Sequence, residues 1–88
     1  MHCSYTRLFT KQVAKLKDKK LLAALKTHLE ALNAAEDISQ VANVKKLVGY
    51  KSYYRLRIQD YRLGIQVVEK TATLACLYHR KDIYKFFP

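Results

Sequence analysis

Tyr53-Tyr54-Arg55-Leu56-Arg57-Ile58-Gln59 alternates strictly, and the next run, Tyr61-Arg62-Leu63-Gly64-Ile65-Gln66-Val67-Val68, repeats the alternation. Period two puts Tyr54, Leu56 and Ile58 on one face of a strand and Tyr53, Arg55, Arg57 and Gln59 on the other. In the second run Tyr61, Leu63, Ile65 and Val67 stand against Arg62, Gly64, Gln66 and Val68. A third run, Thr71 to Tyr78, places Ala72, Leu74, Cys76 and Tyr78 on one side, after a turn at Glu69-Lys70. Three such runs predict an antiparallel meander with one face packed and one solvated.

A tight turn centred on Gln59-Asp60 sets the register. Ile58 then pairs with Tyr61, Arg57 with Arg62, and Arg55 with Gly64. A one-residue slip would mix arginines into the core, so only registers of this parity match the apolar faces. The same logic across the next turn predicts Arg62 opposite Leu77 and Gly64 opposite Ala75. The solvent face becomes Arg55, Arg57 and Arg62 beside a low floor of Gly64 and Ala75.

Upstream, the period changes. Tyr5-Thr6-Arg7-Leu8-Phe9 alternates weakly and predicts a short opening strand, with Thr10 capping a helix behind it. Phe9, Val13 and Leu16 share the buried side of that helix, with Lys11 and Lys15 outside. Asp18 caps a second, longer helix whose Leu21, Leu22, Leu25, Leu29 and Leu32 keep a 3.6-residue period. The short link at Lys17 and Asp18 predicts an antiparallel helical hairpin. Ala34 to Asn43 reads as a connector with a helical turn near Gln40, and Gly49 as a turn. The expected fold is α+β: an N-terminal helical hairpin packed on a small antiparallel β-sheet. At 88 residues the chain is expected to be one domain, 1–88.

Charge narrows the function. Lys plus Arg is 17 against 7 for Asp plus Glu, a formal net charge of +10. So much positive charge on a small domain opposes compactness unless an anionic partner answers it. Nucleic acid, an acidic protein and an anionic membrane surface all fit. No stretch is long and apolar enough to span a bilayer. Met1-His2-Cys3-Ser4-Tyr5 does not read as a secretory signal, so the chain is expected to be cytoplasmic. Cys3 and Cys76 are then expected as free thiols. On a strand, Cys76 and His79 point to opposite faces, so neither a metal nor another cofactor is expected.

The arginine face is the first candidate for chemistry. Like charges directly opposite on a sheet repel, so Arg57 against Arg62 asks for a reason. The planar guanidinium fork suits phosphate; a merely solvated face is the plainer explanation. His79 follows Leu77 in parity and is expected to extend toward the arginines, where it can titrate near neutral pH. Tyr84 can donate a hydrogen bond or stack on a base. Alternatively His79 is structural, and Tyr84, Phe86 and Phe87 close the core. Two glycines, Gly49 and Gly64, exclude a glycine-rich phosphate loop. No nucleophile elbow accompanies any Ser, His and Asp set.

Lys46-Leu47-Val48-Gly49-Tyr50, Tyr54-Arg55-Leu56-Arg57, Asp60-Tyr61-Arg62 and His79-Arg80-Lys81-Asp82-Ile83-Tyr84 resemble the toxins of the RelE/ParE superfamily. These belong to type II toxin–antitoxin systems. The resemblance runs over essentially the whole chain and is specific in its second half. It implies a RelE-like fold and a ribosome-dependent mRNA endonuclease that works in the ribosomal A site without a metal. The 2′-hydroxyl attacks the adjacent phosphate and leaves a cyclic phosphate end.

By the same resemblance Arg55 and Arg57 take the places of two basic strand residues, and Arg62 that of a phosphate-binding arginine. Arg80 matches a late arginine proposed to help the leaving group, and Tyr84 a C-terminal tyrosine. Some members carry lysines at Arg55 and Arg57. An arginine stays protonated and is a poor general base, so these two are expected to hold phosphate, with His79 as candidate acid or base. Lys45, Lys46, Lys51, Lys81 and Lys85 are expected to contact RNA or the ribosome. The expected partners are a cognate antitoxin, the ribosome and mRNA. The alternatives are a gyrase-directed toxin of the same superfamily and a non-catalytic RNA-binding domain.

Overall fold

A computed structural model describes residues 1–88 as a five-stranded sheet with the two longer helices on one face and a short third one on the other. The elements in chain order are β1 (His2–Tyr5), α1 (Arg7–Ala14), α2 (Lys19–Ala34), β2 (Val44–Lys46), β3 (Tyr53–Ile58), β4 (Tyr61–Val68), β5 (Thr71–His79) and α3 (Ile83–Phe86). A 3₁₀ turn at Ile38–Gln40 interrupts the connector after α2. No helix is long and apolar enough to cross a membrane.

The sheet order is β1-β5-β4-β3-β2. The central meander of β3, β4 and β5 is the one expected, but both of its edges are extended. β2 adds antiparallel to β3, and β1 adds parallel to β5. The sheet is therefore mixed rather than purely antiparallel. The helices are not N-terminal either, since β1 precedes them. The opening strand ends at Tyr5 because Thr6 caps α1, its side-chain oxygen accepting from the Phe9 N–H at 3.1 Å. The expected cap, Thr10, lies inside α1 instead and bonds back to the Thr6 carbonyl. A Thr cap of this kind contributes about 1 kcal/mol. Asp18 caps α2 as expected, accepting from the N–H groups of Lys20 and Leu21.

Both helices pack on the sheet: α1 lies on β5, and α2 lies on β3 and β1. Leu21, Leu25 and Leu32 of α2 and Phe9 of α1 meet Leu56, Ile58, Leu63, Ile65, Ala72, Leu74 and Leu77 in the main core. Each leucine buried there stabilises the fold by roughly 1.5–3 kcal/mol through its burial alone. Val13, Leu16 and Leu29 pack at its margin.

One irregularity decides what the opposite face carries. The β3–β4 register is as expected: Ile58 opposite Tyr61, Arg57 opposite Arg62, Arg55 opposite Gly64. Between β4 and β5 the expected register holds for Ile65–Leu74, Gln66–Thr73, Val67–Ala72 and Val68–Thr71. A bulge then leaves Ala75 unpaired, and the remaining pairs shift by one to Gly64–Cys76, Leu63–Leu77, Arg62–Tyr78 and Tyr61–His79. The predictions of Arg62 opposite Leu77 and Gly64 opposite Ala75 are thus corrected. The physical cause is that Leu74 and Leu77 are both buried on the helix side. Three residues apart on one strand, they can share a face only if one extra residue intervenes.

Candidate active site

On the sheet face away from α1 and α2, side chains lie in rows that cross the strands. One row is Arg57, Arg62 and Tyr78, each the partner of the next. The adjoining row is Lys45, Arg55, Gly64 and Cys76. The bulge turns Cys76 and Tyr78 onto this face, where the plain alternation had assigned them to the core side.

A second, smaller core sits on the second row. Cys76, Ile83 and Phe87 are buried together, with Leu47, Tyr53, Ala75 and Tyr78 around them. Gly64 is required here. A Cβ at Gly64 would stand 2.9 Å from Cys76 Sγ and 2.9 Å from Cδ1 and Cγ of Phe87. The floor expected to be open is therefore the seat of the C-terminal segment. Burial pushes the Cys76 thiol up to about 11, against a smaller opposing effect of a hydrogen bond with the Gly64 backbone.

With Ile83 and Phe87 anchored, α3 is carried onto the arginine face. Tyr84 is 63% exposed, and its ring centroid lies 5.9 Å from Arg55 Cζ, within cation–π range. Phe86 stacks on Tyr78 with ring centroids 4.8 Å apart and planes at 20°. A groove of about 400 Å³ runs between the β2 edge and the C-terminal segment, bordered by Lys45, Arg55, Tyr84 and Phe87 among others.

Arg62 is the electrostatic centre. Its Nη1 donates to the carbonyls of Gln59 and Tyr61, each at 2.9 Å, which folds the guanidinium back onto the β3–β4 turn. Burial lowers its proton affinity most, and the charges of Arg55, Arg57 and Arg80 lower it further; Tyr84 acts in the opposite sense. Arg62 thus feels the other four groups that resemble a toxin site. Arginine nonetheless stays charged, so the face holds uncompensated positive charge that a phosphate would relieve. Arg80 enters from the β5 end. Its N–H donates to the Asp60 carbonyl at 2.7 Å, and its Nε lies 3.9 Å from Asp60 Oδ1 in an exposed pair.

His79 does not join this group. It pairs with Tyr61, whose ring it meets edge-on at 5.6 Å, and Tyr61 packs against the main core. Its Nδ1 accepts from the Lys81 N–H at 3.2 Å. The expectation that His79 follows Leu77 toward the arginines is corrected by the same bulge: Leu77 faces the helices, and His79 follows it there.

Of the lysines, Lys45 stands across from Arg55 and joins the face, while Lys46 stands across from Tyr54 and is out of phase with it. Lys51 lies in the connection to β3, and Lys81 and Lys85 flank or occupy α3. Lys85 Nζ is 3.5 Å from Asp82 Oδ1. Sequence reasoning missed the place of Tyr78 beside Arg62, and Phe86 with it. The signal was present in Leu74-Ala75-Cys76-Leu77, an apolar run that breaks period two.

Such a face can bind an extended polyanion and stabilise negative charge developing on a phosphate. The chain is similar to known proteins throughout. The family model for the ParE toxin of the type II toxin–antitoxin system parDE matches residues 4–84. The protein Toxin RelE3 of Methanocaldococcus jannaschii is 46% identical over 46 residues, 52% of this chain. That match also spans about half, 52%, of the relative's own length. A chain of the RelB–RelE antitoxin–toxin complex from Methanococcus jannaschii superposes with a TM-score of 0.81 at 28% identity, covering 97% of this chain and 99% of that one. A chain of the archaeal RelE–RelB complex from Pyrococcus horikoshii OT3 shares the fold, with a TM-score of 0.73 at 22% identity over 90% of this chain and 93% of that one.

Proposed function

Because this chain belongs to the ParE toxin family of type II toxin–antitoxin systems, and so to the RelE/ParE superfamily, we propose that it is a RelE-like endoribonuclease that cuts mRNA in the ribosomal A site and stops translation. The observation that carries the reading is the arginine face itself: Arg57 paired across the strands with Arg62, Arg55 in the adjoining row, and the Tyr84 ring centroid 5.9 Å from Arg55 Cζ. The whole of 1–88 acts as one toxin domain in the cytoplasm, with no metal in the reaction.

In this reading Arg57 and Arg62 grip the scissile phosphate from neighbouring strands. The 2′-hydroxyl of the preceding nucleotide gives its proton to water and attacks that phosphorus, the bond to the 5′-oxygen breaks, the 5′-oxygen takes up a proton from water, and a 2′,3′-cyclic phosphate remains. Arg55, Arg57 and Arg62 stabilise the extra negative charge of the transition state, a preorganised contribution that needs no proton transfer. Arg80 stands where it can serve the leaving 5′-oxygen, and Tyr84 positions the nucleotide by hydrogen bond or stacking. The placement of His79 with Tyr61 leaves it outside the reaction. Lys45, Lys46, Lys51, Lys81 and Lys85 add positive charge for ribosomal and messenger RNA.

A cognate antitoxin restrains the toxin, as the RelB–RelE complexes suggest. The +10 charge calls for an acidic contribution from that partner. A gyrase-directed toxin is the second reading, favoured by the ParE description of the matching family model. Against it stands the retained set of Arg55, Arg57, Arg62, Arg80 and Tyr84. Purified protein on programmed ribosomes separates the two. Cleavage of message that survives EDTA, with free RNA nearly untouched, supports the nuclease. Supercoiling inhibition and DNA breaks without message cleavage overturn it.

A further inference from the structure

The Arg57–Arg62–Tyr78 row does not end at the sheet. Tyr78 carries Phe86 stacked on it, and Phe86 as a residue is 60% exposed. A charged row thus continues into an aromatic stack with an open outer side. Neighbouring strands lie about 5 Å apart, so the backbone that carries Tyr78 runs one strand spacing from that of Arg62. Phosphate and base alternate at a comparable short reach along a single strand, and single-strand binders combine these two features, a basic track and a ring for the base.

Core packing does not account for the exposed ring. Ile83 and Phe87 already anchor α3 to Cys76 and Gly64. Tyr84 occupies a different place, over Arg55. Phe86 spends its stacking on Tyr78 and presents its other side to solvent. An exposed phenyl costs solubility unless something covers it, and the charge beside it selects what that is.

We propose that the Tyr78–Phe86 stack is a base platform, taking an unpaired RNA base next to the phosphate gripped by Arg57 and Arg62. The inference rests on the RNA reading of the arginine face but not on cleavage. Stacking reads the π-face that all bases share, so the platform contributes affinity and position with little base preference. Phe86 is in this sense a positioning residue and not a catalytic one.

The test uses the full chain and short single-stranded RNA carrying 2-aminopurine, whose fluorescence falls on stacking, at successive positions. The expected result is quenching at one position on binding to the wild type. Phe86→Ala should abolish that quenching and weaken binding by about tenfold, and Phe86→Tyr should restore both. Phe86→Ala should still fold and melt cooperatively, only slightly less stable, because the residue is largely exposed and loses no more than its stack on Tyr78. Quenching that persists in Phe86→Ala, or is absent in the wild type, overturns the platform. Loss of affinity only for an acidic protein, with RNA quenching intact, also overturns it. The wild type separates this claim from the nuclease: if it never cuts message on ribosomes yet shows the quenching, the platform stands and the cleavage reading falls.

Discussion

Arg57 and Arg62 are direct cross-strand partners, two like charges facing each other on the open side of the sheet. Their surroundings differ. Arg57 is exposed, whereas Arg62 is half-buried and donates to two turn carbonyls. Repulsion between such a pair costs roughly 0.2–1 kcal/mol, and a hydrogen bond returns a net 0.5–1.5 kcal/mol or so. Mutual repulsion is therefore tolerated because Arg62 is tied to the turn.

Arg57→Ala should leave stability unchanged or raise it by a few tenths of a kcal/mol or so, since only repulsion is lost. Arg62→Ala loses its turn bonds as well, so its stability should change by no more than about 1 kcal/mol in either direction. Both should reduce message cleavage on ribosomes by on the order of a hundredfold. Leu63→Ala is the contrast: fully buried between the same strands, it should cost about 2–5 kcal/mol. Chemical denaturation of the three variants beside a cleavage assay checks the set. Unfolding by Arg57→Ala would refute the assignment of this face.

Gly64→Ala should unseat the C-terminal segment. The added Cβ meets Phe87 and Cys76 at 2.9 Å, and overpacking of this kind costs about 1–3 kcal/mol. Because Phe87 is half of the clash, the penalty should shrink in a Phe87→Ala background. A double-mutant cycle measures that coupling, and additive effects would show that Phe87 does not sit on Gly64 in solution.

Stability should decline with alkaline pH through Cys76. Its thiol is pushed from an ordinary 9.0 up to about 11 by burial. Between those values the unfolded chain releases the proton and the folded chain keeps it, so raising pH favours unfolding. Below about 9 both states hold the proton and the contribution is fully present. Cys76→Ala should flatten the part of the decline that the thiol causes, measured as the difference between the two pH profiles of denaturation midpoint. Identical slopes between pH 9 and 11 would place the thiol in water.

Much of this architecture is readable in the chain because burial enforces it. The β3–β4 register followed from a tight turn at Gln59-Asp60, its parity fixed because no other keeps Arg55, Arg57 and Arg62 out of the core. The leucine stripe from Leu21 to Leu32 and the Asp18 cap followed from spacing and side-chain chemistry. β2 was not legible as a strand because Val44–Lys46 is three residues long, and the opening strand, expected at Tyr5 to Phe9, lies at His2–Tyr5 because Arg7 to Phe9 belong to α1; pairing with β3 and β5 makes the two segments strands. The bulge escaped because Leu74-Ala75-Cys76-Leu77 is apolar in both registers. One unpaired alanine then reversed the faces of Cys76, Leu77, Tyr78 and His79.

That reversal sets the sharpest contrast among the candidate residues. His79 and Tyr84 lie five positions apart, yet one meets Tyr61 on the helix side and the other lies over Arg55. His79→Ala should therefore keep message cleavage within a few-fold of wild type, roughly the effect of a changed neighbour rather than a lost catalyst. It should lose some stability, about 0.5–1.5 kcal/mol, from the broken aromatic contact with Tyr61. Tyr84→Ala should do the reverse, keeping the fold because its ring is largely exposed and losing cleavage on the order of a hundredfold. The pH–rate profile of the wild type should show no limb that His79→Ala removes. If His79→Ala abolishes cleavage with the fold intact, the end of β5 must turn in the ribosome so that His79 reaches the arginine face, and the bulge at Ala75 would be the place where it does so.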